Sequence, residues 1–352
     1  MNPAAQPTPS TPYDGLSPDT VLDALACVGL RGDGRLIQLN SFENRVFQVF
    51  LEDGRVVVAK FYRPARWTDA QILEEHAFAA ELAEAEVPVA APLPLAPDDR
   101  FGRTDHLTMS GPTLASFQTP DGASFRFGVT MRIGGRAPEL EDDETLEWIG
   151  RFIGRLHAVG MKRPFEHRIA LTPDTFGTAH RDWLLEQQII PPQAESGWRA
   201  AADEAIAAVR AAFAAGPAPR MLRLHGDFHI GNMLWTAQGP HFVDLDDAVT
   251  GPAVQDLWML LAGDRPTARR QLASVLEGYA AFAPFDAREL RLVEALRTLR
   301  MIHHSAWIAR RWSDPAFPIA FPWFESPSYW NDQTTRLREQ LDAMASEPLA
   351  LY

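Results

Sequence analysis

The chain has 352 residues, enough for about two domains at roughly 150 residues each. Hydrophobic residues make up 46% and charged residues 22%, which is typical of a folded globular protein and not of a disordered or fibrous one. The 33 Lys+Arg against 46 Asp+Glu give a net charge of −13, which argues against broad binding to nucleic acid or to an anionic membrane.

Residues 1–18 contain five prolines and no basic-then-apolar pattern, so they predict a flexible leader and not a signal peptide. No apolar run reaches the ~18 residues that a membrane span needs. The single cysteine, Cys27, excludes an intramolecular disulfide and a multi-cysteine zinc cage, and it suits a reducing compartment. We therefore expect a cytoplasmic protein, and we expect a monomer without nucleic-acid or membrane partners.

Residues 35–62 predict three antiparallel strands, because β-branched and aromatic runs alternate with polar turns. The dipeptide Asp53-Gly54 predicts a tight hairpin in which both central residues have positive φ. Lys60 interrupts the third strand, so its amine needs either a partner or a ligand. The alternative is an edge-strand lysine that extends into solvent.

A helix should follow, because Thr68 and Gln71 form a capping box. This helix carries Glu74 and Glu75, and either carboxylate could pair with Lys60. We prefer Glu75 because it shares a helical face with the apolar residues three and seven positions later. The turn that begins at Ser41, in the sequence Ser-Phe-Glu-Asn, could present backbone N–H groups to a phosphate, although it has no glycine.

A further strand over 125–132 ends at a Gly-Gly segment, which we interpret as a hinge. We predict an N-terminal nucleotide-binding lobe over 19–132 and a mainly helical C-terminal lobe over 133–352. Met131 and Ile133 are candidate nucleotide-binding residues, because a hinge exposes backbone groups where two lobes meet, and such places favour ligand clefts.

The segment with the most chemistry is His-Gly-Asp-Phe-His-Ile-Gly-Asn over 225–232, followed by an apolar strand that ends at Asp244. Phosphoryl transfer needs a carboxylate that accepts the proton of the attacking hydroxyl, and oxygen ligands that hold Mg²⁺ on the nucleotide phosphates. Asp227 can supply the first, and Asn232 and Asp244 the second. Taken singly, each of these three residues could equally be an ordinary turn former.

A metallohydrolase is the rival interpretation, because His225, Asp227 and His229 alternate closely and Asp246 and Asp247 lie nearby. It would need further clustered ligands. A third alternative is a scaffold that binds nucleotide without catalysis. The presence of all three candidate catalytic residues, Asp227, Asn232 and Asp244, argues against it.

These motifs resemble the aminoglycoside phosphotransferase and choline kinase branch of the kinase fold, and within it the bacterial Ser/Thr protein kinases of stress responses. The resemblance covers roughly 22–330. It rests on the segments 41–44, 58–64, 72–76, 225–235, 242–247 and 251–258. It implies an α+β, bilobal, protein-kinase-like fold, with an antiparallel sheet and one main helix before a larger helical lobe.

By that resemblance Ser41 lies in the ATP site, Lys60 binds phosphates and pairs with a helix glutamate, and Asp227 is the catalytic base. Asn232 and Asp244 bind Mg²⁺, and Asp244 counts among the catalytic residues. Asp256 resembles an aspartate that supports the catalytic loop.

The implied cofactors are ATP and Mg²⁺, and the implied acceptor is a protein Ser or Thr hydroxyl. A small alcohol of the choline, homoserine or aminoglycoside type is the alternative acceptor. Asp-Leu-Asp at 244–246 replaces the Asp-Phe-Gly of protein kinases, and no Ala-Pro-Glu segment follows, so the groove for a protein substrate is unexplained. The aromatic stretch 307–330 either lines the acceptor pocket or simply packs.

Overall fold

The computed structural model describes residues 11–100, 104–140 and 142–349, and the first ten residues of the predicted leader lie outside this range. The described residues divide into two compact units. The sheet unit comprises the chain up to Ala80 together with Ala90–Ile133 and Ser313–Ala316. The helical unit comprises Glu81–Val89, Gly134–Trp312 and the chain from Phe317 onward.

Within the described residues, the sheet unit is built on a six-stranded antiparallel sheet in the order β1-β2-β3-β6-β5-β4. Its strands are β1 (Gly32–Leu39), β2 (Arg45–Leu51), β3 (Val56–Phe61), β4 (Leu107–Met109), β5 (Ala115–Gln118) and β6 (Ser124–Met131). Burial alternates along β3, because Val57, Ala59 and Phe61 are buried in the core while the residues between them are only partly buried. Helix α1 (Pro18–Ala26) adds Val21 and Leu25 to the same core.

The hairpin between β2 and β3 was predicted correctly, but its turn type was wrong. Gly54 has φ +86°, whereas Asp53 is not among the residues with positive φ. Leu51 N–H donates to Arg55 O at 2.9 Å, so this pair encloses three residues, 52–54, in place of two. With one residue in the left-handed region, the turn is one of the longer hairpin loops built on an ordinary turn followed by glycine.

Helix α2 (Asp69–Glu84) begins with the predicted capping box. Thr68 N–H donates to Gln71 Oε1 at 2.9 Å, and Gln71 N–H donates to Thr68 Oγ1 at 3.3 Å. These two bonds satisfy donors that a helix N-terminus leaves without intrahelical partners.

The helical unit confirms the prediction of a mainly helical C-terminal part. Its helices are α3 (Asp143–Gly160), α4 (Ala179–Glu186), α5 (Pro192–Ala214), α6 (Gln255–Trp258), α7 (Arg265–Tyr279), α8 (Val293–Ala309), α9 (Ala316–Ala320, which starts in the sheet unit) and α10 (Pro327–Ala345). Helices α3 and α7 touch through glycines, since a Cβ on Gly150 would lie 1.9 Å from Val275 O. In the described part of the chain, no helix is both long and apolar enough to cross a membrane.

Two short antiparallel pairs hold the polar segment that the sequence singled out. Strand β7 (Met221–Leu224) pairs with β10 (Val249–Pro252), and β8 (Met233–Thr236) pairs with β9 (Gly239–Phe242). The segment over 225–232 connects β7 to β8, and residues 243–248 connect β9 to β10. All the predicted catalytic oxygens therefore lie on two connections between these strand pairs.

Candidate active site

The connection after β7 begins with a sharp turn at Gly226, whose φ is +86°. A Cβ at this position would lie 2.2 Å from Asp247 O, so only glycine fits. The neighbouring His225 is fully buried, and its Nε2–H donates to Val243 O at 3.0 Å. These contacts join the two connections that carry the predicted oxygens.

Asp256, at the start of α6, fixes this turn through hydrogen bonds to its backbone. Its side chain is fully buried and accepts hydrogen bonds from the backbone N–H groups of His225 and Gly226, each at 2.9 Å. The ring of His157, on α3, lies 3.1 Å from the same carboxylate through Nε2. One buried carboxylate thus fixes two consecutive backbone amides directly before Asp227, which agrees with the supporting role implied by the resemblance.

Asp227 is partly buried between two basic side chains. Its Oδ1 lies 2.6 Å from Nη1 of Arg300 on α8, and its Oδ2 lies 3.3 Å from Nε2 of His229. Burial acts to raise the pKa of Asp227, but the hydrogen bond with His229 and the charge of Arg300 outweigh it and hold the pKa well below its usual range. The carboxylate is therefore charged and oriented at neutral pH, as a proton acceptor must be.

Asn232 and Asp244 are brought together by a backbone hydrogen bond, in which Val243 N–H donates to Asn232 O at 3.0 Å. The Asn232 amide nitrogen donates to Asp227 O at 2.9 Å, which leaves its amide oxygen as an acceptor. Asp244 is exposed and has left-handed backbone angles, φ 63° and ψ 64°. Such a conformation costs a non-glycine residue on the order of 1–3 kcal/mol and is concentrated at functional sites.

The donors at these two positions suit Mg²⁺. One amide oxygen and one carboxylate are hard ligands, and Mg²⁺ commonly binds few protein groups and takes its remaining ligands from water and phosphate. Among the described residues, no group of three or more His, Cys, Asp or Glu side chains could hold a metal ion. His225, a candidate ligand in the metallohydrolase interpretation, bonds to a backbone carbonyl through its Nε2.

In the sheet unit, Lys60 lies on an inner strand, because its backbone pairs with Val46 on β2 and with Gly128 on β6. The edge-strand interpretation is therefore wrong. Glu75 is 5% exposed and shares its helical face with the fully buried Phe78 and Leu82, as expected from the spacing. Glu74 is only partly buried. The pairing of Lys60 with Glu75 stays a prediction.

The turn at Ser41 is held by a network that sequence reasoning missed. Ser41 Oγ accepts a hydrogen bond from Asn44 N–H at 3.3 Å, and the Asn44 side chain accepts one from Arg63 N–H at 3.1 Å. The Arg63 guanidinium donates to Phe42 O at 3.0 Å, to Glu43 O at 2.9 Å and to the Asp314 carboxylate at 2.8 Å. Two backbone carbonyls of a turn without glycine are thus fixed by one buried arginine.

Asp314 belongs to the four-residue segment Ser313–Ala316 that joins the sheet unit. Its side chain is 2% exposed and also contacts Arg45 at 3.1 Å. Burial acts to raise the pKa of Asp314, but the hydrogen bonds from Arg63 and from Ala316 N–H, together with both arginine charges, keep it below the usual value. The sequence offered no local signal for this carboxylate, because its partners lie about 250 residues earlier.

Met131 ends β6 and is 40% exposed, and Ile133 is partly buried two residues later. Their predicted contact with a nucleotide stays a prediction. Packing is confirmed for part of the aromatic stretch 307–330, and its role in an acceptor pocket stays a prediction. Phe324 and Trp330 belong to a buried core, while Trp323 and Tyr329 line a pocket.

A family model described as "Phosphotransferase enzyme family" matches residues 35–293. Stress response kinase A of Escherichia coli strain K12 is 44% identical over 339 residues, which cover 96% of this chain and 97% of that protein. A protein of Salmonella typhimurium named serine/threonine protein kinase RdoA is 42% identical with the same coverage.

Among solved structures, an amicoumacin kinase in complex with AMP-PNP, Ca²⁺ and its ligand has a TM-score of 0.70 at 16% identity and covers 95% of each chain. A microcompartment-associated aminopropanol kinase has a TM-score of 0.65 at 18% identity, with 96% of this chain and all of that one covered. At such identities the likeness shows the fold alone, and it confirms the kinase-like architecture predicted from the sequence.

Proposed function

The chain belongs to the phosphotransferase enzyme family, and we propose that it transfers the γ-phosphoryl group of ATP, with Mg²⁺, to serine and threonine hydroxyls of proteins. The observation that carries the proposal is the loop that holds Asp227 beside Asn232, with Asp244 tied to the same loop through Val243. A charged acceptor for a proton and two hard oxygen ligands are the groups that this reaction requires.

In this mechanism Asp227 orients the acceptor hydroxyl and takes its proton as the phosphoryl group is transferred. Asn232 and Asp244 hold Mg²⁺, which neutralises the charge of the nucleotide phosphates. Asp256 keeps the backbone before Asp227 in place through its two hydrogen bonds. The base is thereby preorganised before the substrates bind.

The sheet unit supplies groups for the nucleotide. Lys60 binds phosphate oxygens, with Glu75 as its carboxylate partner, and the turn at Ser41 offers backbone N–H groups to the same phosphates. Met131 and Ile133 contact the nucleotide through backbone groups. The buried position of Glu75 supports this assignment, because a buried carboxylate needs a cationic or hydrogen-bonding partner.

The protein acceptor is favoured by the relatives that match along almost the whole chain, since one of them is named as a serine/threonine protein kinase. The name of another relative supports a role in a bacterial stress response. A small alcohol is the second candidate acceptor, because the solved structures with the same fold include an aminopropanol kinase. Cys27 is the single cysteine of the chain, which fits the cytoplasm as the site of action.

The test is to incubate the purified protein with labelled ATP, a generic protein acceptor and a panel of small alcohols. We expect labelled phosphate to be transferred to the protein acceptor, and we expect its bond to Ser or Thr to survive treatment with acid. The variant Asp227→Asn should keep its circular dichroism spectrum while transfer falls ~10²–10⁴-fold, the usual contribution of general acid–base catalysis.

The matched control is Asp286→Asn, since Asp286 also pairs with an arginine, Arg288, but its side chain is 40% exposed, against 19% for Asp227. It should transfer phosphate at the wild-type rate. Label in an alcohol and not in protein would reassign the acceptor, and wild-type turnover of folded Asp227→Asn would remove Asp227 from the mechanism.

A further inference from the structure

Arg300 on α8 contacts the predicted base, Asp227, although no sequence motif indicated it. Its Nη1 is 2.6 Å from Asp227 Oδ1, and 38% of its side chain is exposed, against 19% for Asp227. Among the described residues, Asp227 is the acidic side chain that lies within 4 Å of Arg300. A guanidinium carries five N–H donors in a planar fork, so one contact leaves most of them available.

The chemistry of transfer brings the acceptor close to this guanidinium. A general base must come within about 2.6–3.2 Å of the hydroxyl oxygen from which it takes the proton. Because Arg300 contacts the same carboxylate, substituents next to the reacting hydroxyl come within a few ångströms of its free N–H groups. An anionic substituent could form a charge-assisted, bidentate hydrogen bond there, whereas a cationic one would be repelled.

We propose that Arg300 is a specificity-determining residue that selects acceptors with a negatively charged group next to the reacting hydroxyl. In a protein acceptor this group is the carboxylate of an Asp or Glu beside the Ser or Thr. The proposal rests on the proposed function only in taking Asp227 as the base. It assigns the class of acceptor, which neither the family nor the names of the relatives specify.

The pocket along the same helix agrees with this selection. One helical turn after Arg300, His304 lines a pocket of about 320 Å³ together with Arg336 and Asp332. Burial lowers the pKa of His304, and the charge of Arg300 lowers it further, so this ring is neutral at physiological pH. Among the residues that the structure describes, Arg336 forms no ion pair within 4 Å. The pocket therefore lacks the acidic excess that a polycationic acceptor would require.

The experiment compares acceptors that differ only in charge. Three peptides carry Glu, Gln or Lys on both sides of one Ser, and a parallel series uses a hydroxy acid, a neutral diol and an amino alcohol. We expect the wild-type kcat/KM to be about tenfold higher for the anionic acceptor than for the neutral one, which is ~1.4 kcal/mol. The cationic acceptor should be the poorest.

The variant Arg300→Gln should lose this preference and bring the anionic acceptor down to the neutral one, while Arg300→Lys should keep part of it. Arg297→Gln is the matched control, because Arg297 lies one turn earlier, is 39% exposed and pairs with Glu294 on its own helix. It should keep the wild-type preference.

Equal losses for all three charges in Arg300→Gln would overturn the proposal, because Arg300 would then only orient Asp227. A wild-type preference for the cationic acceptor would overturn it as well. If Arg300→Gln does not fold, the wild-type charge series and Arg300→Lys decide the question. If alcohols accept phosphate and peptides do not, the protein acceptor fails, and the alcohol series still tests Arg300.

Discussion

Replacing Asp256 by Asn should weaken the fold and the activity together. Its carboxylate accepts bonds from two backbone amides at 2.9 Å each and contacts the His157 ring at 3.1 Å. Asp256, His157 and His225 are fully buried, and Gly226 is partly buried. An Asn side chain has one acceptor oxygen, so it must turn its NH₂ group toward at least one of the donors. A buried donor without a partner costs about 1–3 kcal/mol, and bonds to a charged acceptor are the stronger ones.

We therefore expect Asp256→Asn to lower the free energy of unfolding by about 2–4 kcal/mol, out of the ~5–15 kcal/mol that a typical domain possesses. Urea unfolding followed by tryptophan fluorescence measures the change. The control is Asp264→Asn, because Asp264 is an exposed helix cap that accepts from Thr267 N–H at 3.0 Å, and Asn caps helices equally well.

The same substitution should lower kcat, because the amides that Asp256 fixes belong to His225 and Gly226, directly before the base. A misplacement of Asp227 by about 1 Å can cost on the order of 10²-fold in rate. If the free energy of unfolding of Asp256→Asn lies within about 0.5 kcal/mol of the wild-type value and kcat is unchanged, Asp256 does not position the base.

Three further predictions concern the metal, the lysine and the Ser41 turn. Activity should vanish with EDTA and return with Mg²⁺, and Asp244→Asn should need more Mg²⁺ for half-maximal rate; full activity in metal-free buffer would contradict both. Lys60→Met should raise the KM for ATP or lower kcat sharply without unfolding the protein, and normal ATP kinetics would return Lys60 to a purely structural role. Asp314→Asn should speed amide hydrogen exchange at 41–44 and raise the KM for ATP, because removing one partner of a buried ion pair can cost ~3–5 kcal/mol; unchanged exchange would show that the turn is rigid without it.

Local patterns predicted those parts of the molecule whose causes are local. Runs of β-branched and aromatic residues, broken by polar turns, predicted β1 to β3, and the capping box at Thr68 predicted the start of α2. The face of α2 that carries Glu75 followed from a spacing of three and seven residues, and the structure buries that face. In each case the determining partners lie within one turn or one hairpin of each other.

The contacts that the sequence did not predict join residues that are far apart along the chain. Arg63 and Asp314 are separated by 251 positions, and nothing in either neighbourhood indicates the other. Arg300 lies on α8, where no sequence motif singles it out, yet the tertiary packing places it on Asp227. The turn type at Asp53 was predicted wrongly for a different reason, because the dipeptide Asp-Gly occurs in hairpin loops of different lengths, which have different backbone angles.

The spacings between the predicted catalytic residues Asp227, Asn232 and Asp244 each correspond to one short element of the fold. From Asp227 to Asn232 the chain makes one short 3₁₀ turn, Ile230–Asn232, which brings the Asn232 amide back to Asp227 O at 2.9 Å. From Asn232 to Asp244 it makes the β8–β9 hairpin, whose register pairs Met233 with Phe242. The two predicted oxygen ligands therefore flank the open end of one hairpin, and the spacing of 12 residues in the sequence corresponds to the two strands and the turn that return the chain to its starting point. Any insertion that changed the register of Met233 and Phe242 would break the hydrogen bond from Val243 N–H to Asn232 O, and with it the contact that keeps Asp244 next to Asn232.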